Sequence, residues 1–274
     1  MGTSSIFDGP VKNLLPNDYD DLDEIDSPDD LDQDPTDIPD NPDEEEVQGI
    51  PYRWKDAKDA MTRYVKGSSS DRGKVMSRYV RASGGSNQLS RTSTSGKNAT
   101  INLGRVIQAF RDSGVGKTLK SLQIDFVNKS AKEVLSELVN VISSDADSKE
   151  DIAARGASIE AISELYDIVL KNDGSIESLS KIDENTFRKV IEVFVSEYIF
   201  IRVMGDLQSR FEQHENNPKE SIKKEKELKS YITTKVELRL KEMKPENHDY
   251  HSSSIEKEIN DLYKTCFRAF EEYI

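Results

Sequence analysis

Apolar residues recur at three- and four-residue spacing through most of the chain after position 50, a period that predicts helices. Trp54, Ala57, Met61, Tyr64 and Val65 form the first stripe. Met76, Tyr79 and Val80 share one face of a second, short helix from Gly73 to Ala82. Residues 83–98 are rich in Ser, Gly, Thr and Asn and read as a loop. Asn98 or Thr100 then caps a helix carrying Leu103, Val106, Ile107 and Phe110, which Gly114 ends. Ser130-Ala131-Lys132-Glu133 is a capping box, and its helix directs Val134, Leu135, Leu138 and Val141/Ile142 inward. After a turn over Ser143–Ser148, a helix from about Lys149 to Lys171 presents Ile159, Ile162, Leu165, Tyr166 and Val169, ending near Gly174. Asn185 or Thr186 opens a long helix through Phe187, Val190, Ile191, Phe194, Tyr198, Ile201, Met204, Leu207 and Phe211. Its middle turns are apolar on most sides, as in a central helix packed by several neighbours. Asn216-Asn217-Pro218 breaks the chain. Residues 219–243 form a charged helix with Leu228, Ile232, Val236 and Leu240 inward, although Lys235–Leu240 also reads as a strand. Ser252–Ser254 caps the last helix, where Ile255, Ile259, Leu262, Tyr263, Cys266, Phe267 and Phe270 are periodic.

The expected fold class is therefore mainly α. A helical, bundle-like domain covers 100–274, and a basic segment of short helices and loop covers 51–99. Residues 1–50 form a long acidic, Pro-rich arm. Between Asp18 and Glu46 large apolar residues are too few to offset the entropy of ordering, so disorder is expected there.

Charge sharpens this division. Residues 1–50 hold one Lys, no Arg and 17 Asp/Glu, a net −16. Residues 51–120 hold 15 Lys/Arg against 4 Asp/Glu, a net +11, inside a chain of net −14. An acidic total argues against nonspecific nucleic-acid binding by the whole protein, and the basic segment is a local exception. A single cysteine, Cys266, forms no internal disulfide, and with no signal peptide the chain fits a reducing, cytoplasmic setting. The most apolar run, Val190 to Met204, is broken by Glu192, Glu197 and Arg202, so no membrane span is expected.

Candidate chemistry is sparse. Ser113-Gly114-Val115-Gly116-Lys117-Thr118 resembles the end of a P-loop, but Arg111 stands where the first glycine belongs and a helix, not a strand, precedes it. A helix C-cap and turn explain it better. His248 and His251, beside Asp249 and Glu246, lack enough further ligands for a zinc site; the other candidates are His214 and Cys266. No Ser/His/Asp or Cys/His set stands out. No catalytic residue, metal or cofactor is nominated.

The basic segment opens with a near-repeat, Arg63-Tyr64-Val65-Lys66-Gly67 and Arg78-Tyr79-Val80-Arg81-Ala82-Ser83-Gly84-Gly85-Ser86. Arg63, Tyr64, Lys66, Arg78, Tyr79 and Arg81 interleave cations with two aromatics, a pattern suited to following phosphates and stacking on bases. The competing readings are a solvated helix face, a seat for the acidic arm and a docking surface for an acidic partner. Nucleic acid is the less favoured partner.

Several pieces taken together resemble the QatB family, a component of the bacterial four-gene Qat anti-phage system. They are Met1-Gly2-Thr3-Ser4-Ser5, Gly9-Pro10, Leu14-Leu15-Pro16, the acidic arm, Tyr79 to Ser86, Ser163-Glu164-Leu165-Tyr166-Asp167 and Val195-Ser196-Glu197-Tyr198-Ile199. Ile6-Phe7-Asp8 departs from the smaller, more polar residues expected there. The resemblance implies a non-enzymatic component working with an ATPase, a QueC-like enzyme and a TatD-like nuclease. It suggests an adaptor binding the QueC-like enzyme, with the Gly2 amine as modification acceptor after removal of Met1, and Thr3 and Ser4 read alongside it. The alternative is a module presenting DNA to the nuclease through residues 63–111.

Overall fold

A computed structural model describes residues 50–172, 174–213 and 218–272. Gly2, Thr3, Ser4 and the acidic arm lie outside the described residues. Among the described residues ten α-helices follow one another: α1 Ile50–Val65, α2 Arg72–Ala82, α3 Gly85–Thr92, α4 Thr94–Ser113, α5 Val115–Ser121, α6 Ala131–Ile142, α7 Lys149–Lys171, α8 Glu184–Gln213, α9 Pro218–Met243 and α10 Ile255–Glu271. Among the described residues no strand forms, and Lys235–Leu240 is helical.

α8 is the axis. It packs against α1, α4, α7 and α9, and Val190, Ile191, Phe194, Val195, Tyr198, Ile199 and Val203 are buried around it. Its first turn is capped by Asp183, whose Oδ1 accepts from Thr186 N at 2.7 Å, and not by Asn185 or Thr186. α10 closes the opposite side against α2, α3, α4 and α9. The capping box at Ser130 forms as expected, and Ser148 with Asp151 makes a second one at the start of α7.

Two expectations fail for tertiary reasons. Most of the segment 83–98 is helical: after a turn at Ser83-Gly84 it comprises α3 and, past Ser93, the start of α4. Leu89 and Ser90 face α10, and Ser90 Oγ meets Asn260 O at 3.0 Å and Asn260 Oδ1 at 2.9 Å. These contacts override weak local propensity. Thr100 is consequently no cap: it lies within α4, with Oγ1 donating to Gly96 O or sharing a hydrogen with Tyr263 Oη. The boundary expected near residue 100 also falls inside α4. Helices α1 to α3 contribute Met61, Tyr64, Met76, Tyr79, Val80 and Leu89 to the same core as α8 and α10.

Ile159 is the second miss, 53% exposed. The buried face of α7 is Ala153, Ala154, Ala157, Ser158, Ala161, Ile162, Leu165 and Val169. Small side chains let α7 lie close to α8, and Ile159 and Ile152 are left facing outward.

Candidate functional site

The near-repeat folds as two amphipathic helix ends. In each copy the Tyr-Val pair turns inward and the basic residues turn out. Tyr64 and Tyr79 are buried. Tyr64 Oη donates to Lys224 O at 2.7 Å, and the Lys224 ammonium lies 4.8 Å from the ring centroid. Tyr79 packs edge-on to Trp54, with 6.1 Å between ring centroids, and its Oη donates to Asp206 Oδ2 at 3.0 Å. Burial, and then the nearby Asp206 carboxylate, hold the Tyr79 hydroxyl well above the usual phenol range. Neither ring is presented for stacking on a base, which corrects the aromatic half of the expected nucleic-acid surface.

The cations divide between two places. Arg78 and Arg81, at i and i+3, share the outer face of α2. With Arg53 and Asp56 of α1, the Gly84-Gly85 turn and Glu271 of α10, they line a surface cleft of about 340 Å³. Arg63 and Lys66 are exposed at the far end of α1 and do not line it. Ten residues separate Arg53 from Arg63, about 15 Å along a helix.

Asp71 starts α2 by accepting from Lys74 N at 2.9 Å. Arg78 Nη1 pairs with Asp56 Oδ2 at 3.1 Å. At the other wall the chain leaves α2 through Gly84 and Gly85, with φ of +89° and +85°, and enters α3 with no side-chain cap. The Glu271 carboxylate supplies that role from α10: Oε2 accepts from Ser86 N at 3.2 Å. A Cβ at Gly85 would fall 2.9 Å from Glu271 Oε1, so the glycine serves both the positive φ and the approach of this carboxylate. Arg53 and Glu271 were not recognised from sequence. Nothing local marks either one, because the cleft joins α1, α2 and α10.

Beneath the α3–α4 junction lies a polar network. Arg202 donates to Ser93 Oγ at 2.8 Å, Thr92 Oγ1 at 2.8 Å and Tyr198 Oη at 3.0 Å. Tyr198 Oη in turn donates to Glu150 Oε1 at 2.9 Å, and the same oxygen accepts from Gly96 N at 3.1 Å. Ser95 Oγ donates to Asp151 Oδ1 at 2.6 Å. These bonds tie α3, α4, α7 and α8 together.

An apolar groove of about 550 Å³ runs between α7, α8 and α9, where Ile152, Phe200, Ile201, Met204, Phe211 and Ile222 line it. Thr118 is buried, with Oγ1 donating to Gly114 O at 2.9 Å, and α4 ends at Ser113 immediately before Gly114. The hydroxyl that a P-loop would offer to a metal is thus turned back onto the helix. His248 Nδ1 lies 2.8 Å from Glu258 Oε2. Among the described residues no three His, Cys, Asp or Glu side chains cluster as a metal site, and no helix is long and apolar enough to cross a membrane.

A family profile described as Qat anti-phage system associated protein QatB matches residues 84–270. The chain belongs to the QatB family. The match runs from the Gly84-Gly85 turn to Phe270, spanning α3 to nearly the end of α10. No curated protein and no solved structure matches the chain. Membership implies a role in the Qat anti-phage defence system.

Proposed function

We propose that this QatB-family chain is a non-enzymatic, cytoplasmic adaptor of the defence system. Its helical body docks the QueC-like enzyme, and its N-terminal arm presents the Gly2 amine to that enzyme. The family match over 84–270 carries the reading. The Met1-Gly2-Thr3-Ser4-Ser5 opening supports the substrate role. A terminal amine with a pKa near 8 keeps roughly a tenth of its population neutral at pH 7 and so nucleophilic. The amine nitrogen attacks the ATP-activated carboxyl carbon of a deazaguanine. An amide bond forms, the activating group departs, and the amine's proton passes to solvent. The ATPase and the TatD-like nuclease act as further partners of the same assembly.

Intact mass of the protein, purified alone and after co-expression with the QueC-like enzyme, tests this. A deazaguanine-sized addition on the N-terminal peptide, lost in Gly2→Pro, is expected. An unmodified N-terminus in a stable co-purified complex would remove the substrate role and leave the adaptor. Neither addition nor complex would overturn both.

The second reading, DNA presentation to the nuclease, rests on the exposed cations alone, since Tyr64 and Tyr79 are buried. It requires salt-sensitive DNA binding that disappears when Arg63, Arg78 and Arg81 become Glu.

A further inference from the structure

We infer that the arginine cleft of α1 and α2 is the seat of the chain's own acidic arm, residues 18–46. This goes beyond the adaptor reading and does not depend on Gly2 modification. Residues 18–46 carry 16 Asp/Glu and no Lys or Arg. The cleft gathers Arg53, Arg78 and Arg81 on one surface. Its own two carboxylates are already engaged, Asp56 by Arg78 and Glu271 by Ser86 N–H. Arg81 is exposed and makes no ion pair among the described residues. The cleft thus sets three guanidinium groups against two carboxylates, and Arg81 is the one open to a further carboxylate.

Connectivity selects the occupant. The acidic run ends at Glu46, four residues before Ile50 opens α1, and Arg53 lies three residues further on. Four residues span at most about 14 Å when fully extended, and Ile50 to Arg53 adds about 4.5 Å along α1. Carboxylates at the end of the run therefore start within reach of the cleft, and the short tether gives an effective concentration in the millimolar range. Each exposed ion pair is individually weak and screened by salt. Occupancy thus comes from many interchangeable carboxylates sampling the exposed Arg81 guanidinium beside Arg53 and Arg78, not from one fixed pair. A seated arm covers the Gly84-Gly85 turn and competes with any external polyanion for the same guanidinium groups. An acidic partner or a nucleic acid must displace it.

The test is backbone amide relaxation of residues 18–46 in the full-length ¹⁵N-labelled protein. At low salt part of this run is expected to relax as slowly tumbling backbone. Arg53→Glu/Arg81→Glu, or about 1 M NaCl where the screening length falls to ~3 Å, should reduce its transverse rates by at least about twofold toward free-chain values. The salt arm needs no substitution, and unchanged dispersion of the body's amides confirms that the variant is folded. Equal rates in wild type, variant and high salt would overturn the proposal. Rates that fall on dilution would place the arm on a second copy and overturn the assignment within one chain. If single-stranded DNA shifted the amides around Arg81 while the arm relaxed as a free chain before its addition, the cleft would be a nucleic-acid seat instead.

Discussion

Gly104 and Gly205 are both helical glycines, and the structure predicts opposite outcomes for the same substitution. At Gly104 in α4, an added Cβ would lie 2.1 Å from Cδ1 and Cε1 of Tyr250. Carbon atoms pack at about 3.5–4.0 Å, so the ring must retreat by roughly 1.5 Å. It has little room to do so. Tyr250 is fully buried and tilted against Phe187, with 5.5 Å between ring centroids. Its Oη donates to Pro245 O at 3.2 Å, its N–H to Gln108 Oε1 at 3.1 Å, and its carbonyl accepts from Arg105 Nε at 2.9 Å. Overpacking of this kind costs about 1–3 kcal/mol, and a lost hydrogen bond adds about 1 kcal/mol. Alanine returns roughly 1 kcal/mol of helix propensity. Gly104→Ala should therefore destabilise by about 1–3 kcal/mol, lowering Tm by about 2–4 °C per kcal/mol. At Gly205 in α8 the added Cβ meets nothing within 4 Å. Gly205→Ala should then stabilise by about 0.5–1 kcal/mol. Urea unfolding followed by far-UV circular dichroism measures both. Tyr250→Leu should cost less in the Gly104→Ala background than in wild type, with a coupling of about 0.5–3 kcal/mol. If both alanines stabilised the protein, Tyr250 would not be seated against α4 as described.

Three further outcomes are expected. Gly85→Ala should cost about 1–2 kcal/mol for the positive φ alone and should displace Glu271 from the start of α3; urea midpoints of this variant against Glu271→Gln separate the two effects. The Asp151 carboxyl is held below its ordinary range by hydrogen bonds from Ser95 and Ser148. A depressed folded pKa contributes stability that is present above the unfolded value near 3.8 and is lost as pH falls through the folded one. Asp151→Asn should accordingly flatten the decline of the urea midpoint between about pH 5 and pH 2, and an unchanged slope would refute the assignment. Burial pushes the Cys266 thiol up to about 12, so maleimide should label the protein only after unfolding; rapid labelling of the native protein would contradict the packing of α10.

Much of the architecture follows from local chemistry. Apolar period, the Ser130 capping box and the glycine at 114 place the end of α4 and the helices α6 and α7 because each of these signals acts within one or two turns of chain. The all-round apolar middle of α8 likewise marks it as central before any partner is known. Acidic arm and basic segment are matters of composition, and the family resemblance is carried by short runs of sequence. What needed the tertiary structure is everything settled by a distant partner. Residues 85–92 and 94–98 are helical because α10 receives Ser90 and α8 supplies Arg202 to Ser93 between them. Tyr64 and Tyr79 face inward because α8 and α9 accept their hydroxyls, whereas an alternation of arginine and tyrosine fits a core face and a binding face equally well. Ile159 points outward because small side chains let α7 approach α8 on another face. The cleft belongs to this second group: Arg53, Arg81 and Glu271 lie far apart in the chain and meet only where α1, α2 and α10 pack together.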